Sequence, residues 1–164
     1  MWRARQDGRA RDRTILSALL REVNVISGLA KSIVTDVGRE QELLQQGRLR
    51  IKPLVTLPTT AHDLVKGHAP RALLAHDTAL LDLIRLQAQC AYTNLLAAEQ
   101  QKWKGPAARG QEDQFETIAS FQPAIIESVT TVVERCDRLA PALRAAGEKV
   151  GGLNLQGPPA RQRT

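Results

Sequence analysis

Aromatic side chains are scarce in this 164-residue chain, where Trp2, Tyr92, Trp103, Phe115 and Phe121 make up 3% of the residues. The 43% hydrophobic content therefore rests on Leu, Ala, Ile and Val, so any core is aliphatic and suits helices better than strands. An all-β fold is excluded. Cysteine is limited to Cys90 and Cys136, in neither a CxxC pair nor a dense framework. Both read as buried small hydrophobes in a reducing compartment, with a disulfide between neighbouring helices left open. No run approaches the ~18 apolar residues of a membrane helix, and the N-terminus lacks the apolar core and small-residue cleavage site of a secretory signal. The chain is expected neither to cross a membrane nor to leave by that route.

Several chemistries lack their motifs. GxGxxG and P-loop patterns are absent, and no GxSxG surrounds Ser17, Ser27, Ser32, Ser120 or Ser128. No Glu is followed three positions later by His, as a di-iron bundle requires. Cys90 has no neighbouring His; His76 lies 14 positions earlier on the same helical stretch, about 21 Å away at 1.5 Å per residue.

The formal charge of +6 suggests a polyanion partner until it is divided along the chain. Residues 1–13 carry a net +3 and residues 151–164 a net +2, which leaves 16 basic and 15 acidic residues between them. That is the balance of a body with a mixed-sign surface, and it disfavours specific nucleic-acid recognition. The chain divides into a basic N-terminal arm (1–13), a helical domain (14–147) and a flexible tail (148–164).

Helical spacing dominates the domain. Leu16, Leu19, Leu20, Val23, Ile26, Ala30, Ile33, Val34 and Val37 mark a first long helix, capped by Asp12 or Thr14, with Gly47 as its left-handed terminator. Gly38 is the place where it is most apt to break. Residues 48–58, with Pro53 and Pro58, form an extended connector. A short helix follows over residues 61–66, with Thr60 and Asp63 at capping-box spacing. A second long helix of about 35 residues runs from Pro70 to Trp103, on the stripe Leu73, Leu74, Leu80, Leu81, Ile84, Ala88, Ala91, Leu95 and Ala98, until Gly105-Pro106 stops it. Its first half is apolar on a broad arc that includes Leu83 and Leu86, enough for more than one neighbour. The third runs from Phe115 to Leu143, with kinks or ends at Pro123 and Pro141. These elements predict an all-α fold, an elongated antiparallel bundle of three long helices plus a short connector helix, with an apolar seam that a partner or a homodimer would cover.

Two constellations carry chemistry. His62-Asp63, His68 and His76-Asp77 fall within 16 positions, and imidazole with carboxylate can hold a divalent metal and activate water. The run LLAHDTALL resembles the His-Asp doublet of metal-dependent phosphohydrolases of the HD superfamily. It departs in lacking the Gly that usually follows and in having its upstream histidines only 14 and 8 residues away. This makes a divalent-metal hydrolase using His62, His68, His76 and Asp77 one alternative reading. Gln87, Tyr92 and Asn94 lie along the second long helix among small residues, where they would line the pocket of a small-ligand sensor.

The order of an Arg-rich start, ILSALLREVNVISGL, a connector ending in LPTTAHDLV, and LLDLIRLQAQCAYTNLL resembles, over residues 3–103, a loosely defined group of small uncharacterised bacterial helical proteins. Members usually carry an N-terminal membrane helix ahead of the Arg-rich residues; here His62 stands where an aromatic residue is usual, and no such helix precedes Trp2. The resemblance implies a juxtamembrane arm whose Trp2, Arg3, Arg5, Arg9, Arg11 and Arg13 touch an anionic membrane surface, with the body cytoplasmic at the inner face. The leading expectation is a non-enzymatic helical interaction or scaffold domain without a cofactor, membrane-proximal and acting through an apolar helix seam.

Overall fold

The computed structural model describes residues 2–61, 63–75, 78–111 and 113–153, with the backbone alone for residues 2–5. Its regular elements are all helical: α1 (Trp2–Gln45), α2 (Asp63–Lys66), α3 (Arg71–Leu74), α4 (Ala79–Ala108) and α5 (Gln114–Lys149). The all-α reading therefore holds. The three long helices carry the core, and α2 and α3 are single turns in the crossing from α1 to α4.

Helix α1 starts fourteen residues ahead of Leu16, the first position marked by apolar spacing, and Asp12 does not cap it. Arg, Ala and Gln are good helix formers, and the buried stripe reaches back past Leu16 to Asp12. Residues 2–13 are thus the first turns of α1. Gly28 and Gly38 pass within the helix without a break. Its end is the expected one: Gly47 takes φ +68°, Arg48 N donates to Leu43 O at 2.9 Å and Gly47 N to Leu44 O at 3.0 Å, a Schellman closure. Gly110 and Gly151 close α4 and α5 in the same way, with φ of +92° and +93°.

The second long helix differs from the sequence reading at both ends. It is divided before Ala79, with α3 as a separate turn, and it continues through Gly105 and Pro106 for one more turn. Pro106 lies close enough to the C-terminus that only one late hydrogen bond is lost. Helix α5 is continuous through Pro123 and Pro141. Asp63 N bonds the backbone oxygen of Thr60, while the Thr60 hydroxyl donates to Glu22 Oε1 at 2.9 Å, so the capping box does not form.

Helix α5 packs against both α1 and α4. Arg13 of α1 bonds Gly151 and Gly152, just past the end of α5, whereas Leu44 and Gln45 share a cleft with Phe115 and Ala119 near its start. The connector bridges α1 and α4. Arg50 pairs with Asp36 at 2.8 Å, Gln101 Nε2 donates to Ile51 O at 3.0 Å, and buried Leu57 exchanges two 2.8 Å bonds with the Asn94 amide. The core between these elements is aliphatic, from Leu16 to Val37 on α1, Leu83 to Cys90 on α4 and Ile125 to Ala146 on α5. No aromatic side chain among the described residues is fully buried.

Candidate functional site

Helix α4 presents to solvent the stripe that its spacing marks for the core. Leu81, Ile84, Ala88, Ala91, Leu95 and Ala98 are exposed, together with Tyr92, and Leu95 shows 56% of its surface. The buried residues are Ala79, Asp82, Leu83, Leu86, Cys90, Thr93, Gln100, Lys104 and Ala107. Both faces are apolar over the first half of the helix, so spacing alone cannot choose between them. In the second half the buried face is the polar one, and its partners decide the matter.

Those partners form two clusters. Lys104 (1% exposed) pairs with Glu40 (0%), and Gln100 Nε2 donates to Glu40 Oε2 at 3.0 Å and to Ile118 O at 3.2 Å. Two turns further into the core, Ser128 Oγ lies 2.7 Å from Thr93 Oγ1 and accepts from Gln89 Nε2 at 2.8 Å. The clusters link α4 to α1 and α5 and commit its polar residues inward. The outward strip then reads Leu, Ile, Arg, Ala, Ala, Tyr, Leu, Ala at positions 81, 84, 85, 88, 91, 92, 95 and 98, with one charge in five turns.

The sensor residues do not converge. Tyr92 is exposed, Asn94 is occupied with the Leu57 backbone, and Gln87 borders a shallow groove with Thr59, Ile84, Ala88 and Ala91. Gln87 Oε1 is buried there without a hydrogen-bond partner. A cleft of about 720 Å³ opens elsewhere, between the last turn of α1 and the first turns of α5, where Gln122 Nε2 is buried and unpartnered. Its chemistry suits an apolar body carrying an acceptor oxygen.

Of the expected metal set, His62, His76 and Asp77 lie outside the described residues. His68 Nε2 stands 2.7 Å from Oδ1 of buried Asp12, whose Oδ2 accepts from Arg71 N at 3.3 Å. Among the described residues no group of three or more His, Cys, Asp or Glu could hold a metal ion. The thiols of Cys90 and Cys136 are free and buried, and desolvation pushes both up to about 12. They behave as the small hydrophobes expected, not as nucleophiles.

Of the N-terminal residues expected at a membrane surface, the side chains of Trp2, Arg3 and Arg5 lie outside the described residues, and Arg9 and Arg11 are exposed. Arg13 is turned onto the chain itself, with Nε to Gly152 O at 2.7 Å and Nη2 to Gly151 O at 2.6 Å. Among the described residues no helix is long and apolar enough to cross a membrane. No protein-family model, curated protein or solved structure matches the chain.

The residues that sequence reasoning missed, Asp12, Glu40, Gln100, Lys104 and Gln122, share one signal. Each is polar yet falls on the three-four spacing of a buried stripe.

Proposed function

We propose that this chain is a helical scaffold whose three long helices form an elongated antiparallel bundle, and that it works by self-association through the outward face of α4. One observation carries the reading: the exposed strip Leu81, Ile84, Ala88, Ala91, Leu95, Ala98 follows the alternating three-four spacing of a coiled-coil seam. The strip is also self-complementary. In an antiparallel pair of α4 helices about a two-fold axis between Ala88 and Ala91, Ile84 meets Leu95, Leu81 meets Ala98, and the two alanines meet each other. Small residues at the centre let the helices approach closely, and the aliphatic pairs flank them, as an isologous interface requires. The same axis brings exposed Tyr92 level with Gln87 of the second copy. A membrane-proximal placement, implied by the resemblance to anchored helical proteins, is compatible with exposed Arg9 and Arg11 and belongs to the same proposal.

Light scattering coupled to size exclusion tests it. The wild-type chain runs as a dimer, and Leu95→Glu or Ile84→Glu, each at an exposed position, runs as a monomer that keeps its helical circular-dichroism signal and a cooperative melt. A monomeric wild type, or a dimer indifferent to both substitutions, overturns the reading.

A further inference from the structure

A second concavity, of about 730 Å³, lies away from the exposed face of α4, at the end of the molecule where α1 begins and α5 ends. Its walls come from three helices: Gly8, Arg9 and Asp12 from α1, Arg71 and Ala72 from α3, and Lys149 from the end of α5; His68 and Val150 complete it. Three cations thus line one cleft from three separate elements. Among the described residues none of the three pairs with a carboxylate, and the only carboxylate lining the cleft, Asp12, is already engaged by His68 and Arg71 N.

Two adjacent residues of α1 hold the other walls in place. Asp12, nine-tenths buried, fixes His68 and the first backbone N–H of α3. Arg13 grips the carbonyls of Gly151 and Gly152 and so anchors the end of α5 that carries Lys149. The cations of the cleft are mounted on a cross-braced frame and do not hang from loose termini.

We infer that this cleft binds a phosphate group, held by Arg9, Arg71 and Lys149. A carboxylate matches the fork of one Arg, whereas a tetrahedral anion of two charges presents oxygens to several donors at once. The phosphate belongs either to a soluble phosphomonoester or pyrophosphate, or to the headgroup of an anionic lipid. The inference is independent of self-association, because none of its residues lies on α4.

Titration calorimetry with inorganic phosphate and pyrophosphate examines the soluble source. Co-sedimentation with phosphatidylcholine vesicles, with and without phosphatidic acid, examines the lipid source. Binding in either arm is expected to weaken about tenfold for each of Arg71→Ala and Lys149→Ala and more in the double variant, as loss of one charge-assisted contact implies. Arg138→Ala removes one positive charge from an exposed site on α5 outside the cleft and leaves binding unchanged. Melting curves of all variants that match wild type exclude a folding defect at these surface positions. No binding in either arm overturns the inference, as does binding that Arg71→Ala and Lys149→Ala leave intact or that Arg138→Ala weakens equally.

Discussion

Lys104 and Glu40 occupy positions where the helical register asks for aliphatic side chains, and the pair they make is almost wholly removed from water. Two buried charges tolerate each other only as a pair, so removing one leaves the other stranded in a low dielectric. Lys104→Met is expected to lower the unfolding free energy by about 3–5 kcal/mol. Glu40→Leu combined with Lys104→Met returns to near the wild-type value or above it, and urea titrations of the single and double variants measure the difference. A double variant as unstable as the single one would show that Gln100, not the missing charge, dominates the site. Such polar residues were legible as polar but not as buried. Asp12, Glu40 and Lys104 fall on the three-four spacing of buried stripes, but burial of a charge is justified by a partner on another helix, which spacing does not show. His68 was legible as a polar residue near a helix end, and its partner Asp12, 56 positions away, was not.

At the scale of elements, helix existence followed from composition and period, and helix ends followed where glycine chemistry was decisive, as at Gly47. Boundaries failed where propensity was misjudged: residues 2–13 are good helix formers without an apolar stripe of their own, and Pro106 falls where a helix tolerates it. The face of α4 was misread because two stripes compete on one helix, and the choice belongs to the neighbours. The connector is held by side chains and not by a ladder, and the Asp36–Arg50 pair is one of its ties. The hydrogen bond from Arg50 holds the Asp36 carboxyl below its ordinary 3.8. A lowered folded value means that Asp36 contributes stability above its unfolded pKa, and that this contribution is lost as pH falls through the lower folded one. Asp36→Asn should therefore flatten the acid limb of the stability curve and leave its shape above neutrality unchanged. Thermal melts across the acid range read this directly, and an acid limb identical to wild type would remove the pair from the account.

In the whole molecule, the first and last helices are partners, and their junction is closed by Arg13 with Gly151 and Gly152 and by Leu153, which rests on Gly147 where even a Cβ would strike it. Ending the chain at Lys149 removes these contacts. The expected cost is about 1–3 kcal/mol from two charge-assisted hydrogen bonds and one partly buried Leu, seen as a lower midpoint in denaturant. An unchanged midpoint would mean that the bonds to Arg13 do not outlast solvent competition.

The pairing of α1 with α5 also sets an order of events during synthesis. A ribosome delivers α1 first, and the aliphatic stripe from Leu16 to Val37 has no long helix to cover it until residues beyond Gln114 emerge. Only the connector, single-turn α2 and α3, and α4 appear in between, and α4 too depends chiefly on α5. Once α4 has emerged, the nascent chain carries two uncovered apolar helices, a natural substrate for a holding chaperone, and the fold closes late, when α5 arrives.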